Sequence, residues 1–257
     1  MNILRSIVMA FCMFSRIPMP TIEWKNENMR YMLCAFPLVG AAVGVCLWLW
    51  QLIAAALGFG GLLWAAGVTL LPVAVTGGIH MDGFCDVSDA LASHAPMEKK
   101  RAILKDSHTG AFAIISLGCY LLAYAALASE LPVTGRSALL LGLMHMFSRI
   151  LSGTISLIYP KSDAEGLLRT FTLSADKKPA VAILLVLLLL CAAALIIVRP
   201  VTGAAMVLAG LLTALWMKRM SAKQFGGMSG DLSGYFLQMA ELVMLGCCAI
   251  LQKVVLL

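Results

Sequence analysis

The sequence predicts an all-α fold: a polytopic membrane bundle of about seven transmembrane helices with a short interfacial helix at the amino terminus. Of its 257 residues, 61% are hydrophobic and only 12% are charged. Apolar runs of about 20 residues, the length that crosses a bilayer, recur along the chain. No linker, soluble-domain-sized segment or internal repeat interrupts them, so residues 1–257 are predicted to form a single integral membrane domain.

The helices are predicted in chain order. Arg5 precedes an apolar stretch that ends at Phe14, and Arg16 and Pro18 follow where a signal peptide would have a cleavage site, so this segment predicts a helix at the inner interface. Membrane spans are predicted at about residues 31–57, 61–78, 110–130, 137–158, 180–198, 201–217 and 235–257.

The placement of basic residues predicts the orientation. Most of the 19 lysines and arginines fall in segments that share one side of the membrane when the amino terminus is cytoplasmic. The net charge of +6 is explained by this bias, and membrane lipid is the expected partner of these segments, with no need for nucleic acid. The eight cysteines include no Cys-x-x-Cys pair and are interpreted as apolar filler.

The most informative motif is a set of three aspartates, Asp82, Asp86 and Asp89. At about 100° per residue, this i, i+4, i+7 spacing places all three on one helical face. Carboxylates this close repel one another unless a cation lies among them, and Mg²⁺ prefers carboxylate oxygen. The spacing therefore predicts a site for a hard cation, whereas any one aspartate alone could simply complement a helix dipole.

Two of the predicted cytoplasmic loops, around 79–109 and 218–234, contain most of the other candidate polar residues. The first loop ends with Lys105-Asp106-Ser107-His108, and the second holds a Gly-rich segment before Asp231. Arg149 and Glu241 lie within spans, where an ionisable residue is a site candidate, although both could instead brace the bundle. The glycines could equally form an ordinary loop, and His94 and His145 are interpreted as structural.

Hard cations, basic residues and Gly-rich turns at a membrane surface favour phosphoryl transfer. Metal ions and lysine or arginine can take up charge on a phosphate, and an aspartate near the metal can act as general base. The main alternative class is a secondary transporter or channel, which would predict matching broken helices in two halves, and the sequence shows no such symmetry. A purely structural scaffold would not explain the aspartate spacing.

These motifs, taken together and in order, resemble the cobalamin synthase family, the adenosylcobinamide-GDP ribazoletransferases of late vitamin B12 biosynthesis. The resemblance covers most of the chain. It rests on Phe14-Ser-Arg16-Ile-Pro18-Met-Pro20, Gly77-Gly78-Ile-His80-Met-Asp82-Gly83-Phe-Cys-Asp86-Val-Ser-Asp89, Lys105-Asp106-Ser107 with Gly110-Ala-Phe, Ser148-Arg149, and Gly226-Gly227-Met-Ser-Gly230-Asp231 followed by Glu241. Alcohol phosphotransferases of phospholipid synthesis, the alternative enzyme class, use aspartates in a similar way but differ in the spacing of their motif.

The resemblance implies a location in the bacterial cytoplasmic (inner) membrane, with the active site on the cytoplasmic side. It implies that a hydroxyl of α-ribazole or its 5'-phosphate attacks the cobinamide-side phosphorus of adenosylcobinamide-GDP, giving adenosylcobalamin or its 5'-phosphate and GMP. The implied cofactor is Mg²⁺, with Mn²⁺ as the alternative. The oligomeric state stays open, a homo-oligomer included.

The resemblance also implies roles for individual residues. The metal ligands are Asp82, Asp86, Asp89 and Asp106, with Asp89 also the candidate general base. Lys105 and Arg149 complete the catalytic set by neutralising phosphate. The implied substrate-binding residues are Arg16, His80, Gly83, Asp106, Ser107, Gly226, Gly227, Asp231 and Glu241. The chain departs from the family pattern at Ala90, His108 and Gln238, which concerns details of phosphate contact.

Overall fold

The computed structural model describes residues 2–106, 108–162 and 166–254, which fold almost entirely into helices. Ser107, a predicted substrate-binding residue, lies outside the described residues. The helices are α1 (Asn2–Phe14), α2 (Asn26–Met29), α3 (Met32–Ala56), α4 (Gly61–Thr76), α5 (Ile79–Ala92), α6 (Met97–Ile103), α7 (Ala111–Ser129), α8 (Gly135–Ile158), α9 (Leu167–Ser174), α10 (Lys177–Val198), α11 (Pro200–Phe225) and α12 (Gly230–Val254).

The predicted polytopic architecture is confirmed. Within the described part of the chain, six helices are long and apolar enough to cross a membrane: α3, α7, α8, α10, α11 and α12. The predicted span at 61–78 is different, because α4 has only 16 residues and the chain turns by 99° into α5. Counting α4 and α5 together as one broken span gives the predicted seven.

Helix α8 is the central helix of the bundle, with nearly all of its residues from Leu140 to Leu157 buried. Its contact with α3 is antiparallel and depends on glycine. A Cβ added at Gly44 would lie 2.9 Å from the Cα of Gly142, and one added at Gly153 would lie 3.1 Å from the carbonyl oxygen of Leu33. Small residues at these positions let the two backbones approach closely, as is common between membrane helices.

The remaining helices also alternate in direction around α8. Helix α12 runs antiparallel to it. The hydroxyl oxygens of Ser233 and Ser156 lie 3.1 Å apart near the start of α12 and the end of α8, and the Ser148 hydroxyl donates to Glu241 nearer the middle of both helices. One end of the bundle therefore collects the starts of α3, α7, α10 and α12 and the ends of α4, α8 and α11. We call this the α5 end, because α5 crosses the bundle there.

The amino-terminal helix forms as predicted and packs at the α5 end. Phe14, at the close of α1, lies with its ring centroid 4.3 Å from that of Phe36 in α3 and 6.4 Å from that of Phe171 in α9. Helices α1 and α9 thus cover the side of the bundle next to α5.

The two predicted loops are largely helical. Residues 79–109 contain α5 and α6, while the segment predicted as a loop at 218–234 shrinks to residues 226–229 between α11 and α12. The charges from Lys218 onward end the apolar part of α11, but Lys, Arg, Ala and Gln are good helix formers, so the helix continues to Phe225. Gly226, with φ of 75°, then ends it in the left-handed conformation that glycine adopts without strain.

Candidate active site

The turn between α4 and α5 directs the acidic helix across the bundle. Gly77 and Gly78 both adopt positive φ, at 70° and 80°, which lets the chain reverse direction within two residues. The backbone N–H of Arg16 donates to the carbonyl of Val75 at 2.8 Å, and a Cβ at Gly77 would lie 2.6 Å from Cγ of Arg16. The Arg16 side chain is therefore packed against this turn, and its predicted contact with substrate stays a prediction.

Two glycines bring α5 against α12. A Cβ added at Gly83 would lie 2.7 Å from the carbonyl oxygen of Asp231, and one added at Gly234 would lie 2.9 Å from the carbonyl oxygen of His80. Real side chains do not fit at such distances, so both positions require glycine for the observed crossing. The crossing sets His80 and Asp82 of α5 beside Asp231 of α12.

A cavity of about 310 Å³ lies at this crossing, and we call it the main cavity. Its polar lining comes from α5, α8 and α12, and its apolar lining comes from α1, α3 and α9 together with the first residue of α5. The polar side chains are His80, Asp82, Ser152, Ser156, Asp231 and Ser233, and the apolar ones are Met13, Phe14, Leu33, Phe36, Ile79, Leu167, Leu168 and Phe171. The size and mixed lining are typical of a small-molecule site.

His80 forms part of the cavity wall between aromatic rings. Its imidazole lies 5.4 Å from the Phe36 ring and 6.0 Å from the Phe14 ring, measured between centroids. The residue is 7% exposed, and its Nδ1 has no hydrogen-bond partner among the described atoms. A buried polar nitrogen in a cavity wall is suited to bind a polar group of a ligand.

The predicted acidic cluster forms, and it gains a member from α12. Asp82 and Asp231 both line the main cavity, and Asp82, Asp231 and Asp89 all repel the charge of Asp86. In the described parts of the chain, however, no three His, Cys, Asp or Glu side chains are arranged closely enough to hold a metal ion directly. Their oxygen atoms suit Mg²⁺, which commonly retains several water ligands.

Asp89 occupies a different position from the other two α5 aspartates. Its carboxylate lies against Gly110, immediately before α7 begins, and is not part of the cavity lining. The positive end of a helix stabilises an anion there. Asp89 is thus a partner of the start of α7, and its predicted roles as metal ligand and general base stay predictions.

Arg149 and Glu241 are buried in the core of the bundle and do not line the main cavity, although the Arg149 guanidinium lies 5.7 Å from the ring centroid of Phe36 in its wall. The guanidinium of Arg149 donates to Glu241 Oε1 at 2.8 Å, and Ser148 Oγ donates to the same oxygen at 2.8 Å. His145 Nδ1 lies 3.0 Å from that oxygen as well. Arg149 is 1% exposed, and its ion pair with Glu241 braces α8 against α12. The predicted roles of these two residues in catalysis and substrate binding stay predictions.

Lys105, Asp106 and His108 are exposed at the α5 end. Lys105 and Asp106 face solvent, and neither lines the main cavity. His108 bonds the Asp106 carboxylate through its ring, with His108 Nδ1 and Asp106 Oδ1 2.6 Å apart, and through its backbone N–H. These hydrogen bonds lower the pKa of Asp106. His108, which stands where the family pattern has arginine, therefore interacts with Asp106, a predicted metal ligand.

The Gly226–Gly227 segment packs against protein and not against the cavity. A Cβ at Gly226 would lie 2.5 Å from the guanidinium of Arg101, and one at Gly227 would lie 2.5 Å from the carbonyl carbon of Lys161. Gly226 thus lies against the Arg101 side chain and Gly227 against backbone, and the predicted substrate contact of both glycines stays a prediction.

Sequence reasoning missed several residues that shape this site. Ser152, Ser156 and Phe171 showed no motif, and His145 was interpreted as structural without its partners being identified. Helical spacing alone could have placed Ser152 and Ser156 on one face, at i and i+4, but nothing in the sequence says that this face meets α5.

Comparison with known proteins identifies the family of the chain. A family model described as cobalamin-5-phosphate synthase matches residues 6–249. A relative from Lachnoclostridium phytofermentans, named adenosylcobinamide-GDP ribazoletransferase, is 37% identical over 95% of this chain and 92% of its own length. Relatives of the same name from Clostridium botulinum (strain Alaska E43) and Geobacillus thermodenitrificans are 32% and 30% identical, over 94% and 93% of this chain and 96% and 93% of their own.

No solved structure matches the chain. The family model nevertheless spans nearly the whole sequence, and the relatives align along almost their full length. The chain therefore belongs to the cobalamin-5-phosphate synthase family.

Proposed function

We propose that this protein is an adenosylcobinamide-GDP ribazoletransferase. A hydroxyl of α-ribazole or its 5'-phosphate attacks the cobinamide-side phosphorus of adenosylcobinamide-GDP. A new phosphorus–oxygen bond forms, the anhydride bond to the guanosine phosphate breaks, and GMP leaves. The observation that carries this proposal is the main cavity, in which carboxylates from α5 and α12 meet beside an apolar wall, in a chain whose relatives bear this enzyme name.

The apolar part of the main cavity suits the base of the acceptor nucleoside. The base of α-ribazole is a benzimidazole, which is a flat, apolar ring system. Aromatic contacts of the kind that such rings prefer are supplied by Phe14, Phe36 and Phe171. Ser152, Ser156 and Ser233 offer hydroxyls to the ribose. A cavity of about 310 Å³ is at the small end of ligand sites and suits this nucleoside better than the much larger corrinoid.

We assign the two cavity carboxylates to separate tasks. Asp82, with Asp86 one turn along α5, would hold Mg²⁺ or, as the alternative, Mn²⁺. Such a cation, when bound, supplies positive charge for the phosphate oxygens at the reacting phosphorus. Asp231 comes from the other helix and accepts the proton of the attacking hydroxyl. Asp106 and Lys105, both exposed, are assigned to the entry of the phosphorylated donor.

The distribution of charge supports a cytoplasmic active site. The α5 end contains most of the basic residues, and the positive-inside rule assigns such an end to the cytoplasmic face of a bacterial inner membrane. Both substrates are polar and phosphorylated or glycosylated, so they would reach the site from the cytoplasm.

The proposal is tested by incubating the purified protein in detergent with both substrates, with and without Mg²⁺, and measuring cobalamin product and GMP. We expect metal-dependent product from the wild type and a loss of at least about 100-fold in Asp82→Asn. Asp176→Asn is the matched control, because Asp176 is an exposed acid at the same end, before α10, and Asn suits that helix start equally well. A folded wild type that makes no product, or an Asp82→Asn protein with full activity, would refute the proposal.

A further inference from the structure

A second, smaller cavity adjoins the main cavity, and we call it the side cavity. Its volume is about 170 Å³, and it shares Leu167, Leu168, Gly230 and Asp231 with the main cavity. Sites for whole small molecules usually have volumes of roughly 300–1,000 Å³. The side cavity is smaller than these, so it suits one substituent of a larger molecule. The two cavities meet where Asp231 begins the first turn of α12.

The side cavity is lined by two cations, Lys161 and Arg169. Within the described residues neither side chain takes part in an ion pair, and the Lys161 ammonium donates only to the carbonyl of Tyr159. Burial, together with the nearby charges of Lys177 and Arg169, lowers the pKa of Lys161 to about 8. Clustered cations that repel one another are stabilised when an anion binds among them.

Hydrogen bonds hold the backbone beside Lys161 in place. Met228 N–H donates to the carbonyl of Pro160 at 2.8 Å, and Ser162 N–H donates to the carbonyl of Met228 at 3.0 Å. Arg101 of α6 adds bonds to the carbonyls of Phe225 at 2.7 Å and of Ser162 at 2.9 Å. The segment that carries Lys161 is therefore joined by hydrogen bonds to the segment that leads into α12 and Asp231.

We propose that the side cavity is a phosphate subsite, in which Lys161 and Arg169 bind a phosphate group of a substrate whose body lies in the main cavity. This inference rests on the proposed function. The 5'-phosphate of the acceptor is the group that the geometry favours, because a nucleoside in the main cavity would extend such a substituent past Asp231. A phosphate of the donor shares the same chemistry, and the experiment separates the two sources.

The test compares the kcat/KM of α-ribazole with that of α-ribazole 5'-phosphate in Lys161→Met and Arg169→Gln. If the subsite binds the acceptor, the preference for the phosphorylated acceptor falls about tenfold or more in each variant, and Lys161→Arg retains it. If the subsite binds the donor, the preference stays and the KM of adenosylcobinamide-GDP rises about as much with either acceptor.

Lys178→Met is the matched control, since Lys178 is an exposed lysine of α10 at the same end that lines neither cavity. The proposal is overturned if both variants keep the acceptor preference and the donor KM within twofold of the wild type. Activity of the wild type in the same assay shows that such a result concerns the subsite and not the reaction.

A measurement without turnover gives a second readout. Inorganic phosphate is expected to raise the thermal unfolding temperature of the purified wild type more than that of Lys161→Met. Equal stabilisation of the two proteins would count against the subsite whatever the reaction proves to be.

Discussion

Gly83 of α5 lies directly against the backbone of Asp231 in α12. A Cβ at Gly83 would come within 2.7 Å of the Asp231 carbonyl oxygen and 2.8 Å of its Cα. The closeness of these two residues sets the distance between the acidic face of α5 and the carboxylate of α12, and with it the width of the main cavity.

Gly83→Ala is expected to push α5 away from α12 and to lower turnover by about 100-fold, because a displacement of about 1 Å at a reacting centre has an effect of that size. Activity and thermal stability should be measured together in detergent. The obstructing atoms belong to backbone, so they have little freedom to move aside.

Gly118→Ala is the control for this change. Gly118 lies within α7, exposed, with nothing within 4 Å of an added Cβ, so alanine there should leave activity near the wild-type level. A Gly83→Ala protein as active as Gly118→Ala would show that the crossing does not determine the geometry of the site.

Glu241→Gln is expected to destabilise the protein more than it affects catalysis directly. The change leaves the buried Arg149 without its counter-charge, at a cost of about 3–5 kcal/mol in comparable buried pairs. The measurement is thermal unfolding in detergent, with the folded fraction followed by size-exclusion chromatography.

The double variant Arg149→Met, Glu241→Gln is the informative companion. Removing both charges should restore much of the lost stability, because no unpaired charge then remains in the core. A double variant that is stable and active would support bracing, whereas one that is stable and inactive would return Arg149 to the catalytic residues.

The pH dependence of the acceptor preference follows from Lys161. Its pKa of about 8 means that the free protein loses this positive charge as the pH rises through that value, while the substrate phosphate stays doubly charged. We therefore expect kcat/KM for α-ribazole 5'-phosphate, relative to α-ribazole, to fall on the alkaline side of about pH 8. Lys161→Arg should remove this fall, because arginine stays protonated. A wild-type ratio that is flat from pH 7 to 9 would contradict the prediction.

Arg101→Lys is expected to loosen the segment that carries Lys161. Arginine bonds two carbonyls at once, on Phe225 and Ser162, and lysine lacks the planar fork needed for both. Hydrogen exchange of the Ser162 and Met228 amides should become faster in the variant.

Arg219→Lys serves as the control, since Arg219 is an exposed arginine of α11 with no hydrogen bond or ion pair among the described residues. If Arg101→Lys exchanges no faster than this control, the two loop segments are held together without Arg101.

Much of the fold was predictable because it depends on local sequence. Apolar length identifies membrane spans, and the spacing of Asp82 and Asp86 identifies a helical face whatever that face meets. Two errors have the same origin. The predicted span at 61–78 is shortened by the turn at Gly77, which depends on backbone conformation, and the predicted loop from 218 is shortened because helix propensity extends α11 to Phe225. Apolar periodicity does not detect either property.

The candidate site was predictable only in part. His80, Asp82 and Asp231 were identified from sequence and do share one cavity, whereas Arg149 and Glu241 were equally good candidates and lie paired in the core. An ionisable residue within a span must find a partner, but the sequence does not say whether that partner is a substrate or another side chain.

The sequence by itself determined that this is an all-α membrane protein of the cobalamin-5-phosphate synthase family with an acidic face on one helix. Only the tertiary structure decided which residues meet that face. Gly83 and Gly234 allow α5 and α12 to cross closely, and this contact joins residues about 150 positions apart in the chain. Such pairings arise from the packing of whole helices against one another, which no local pattern encodes.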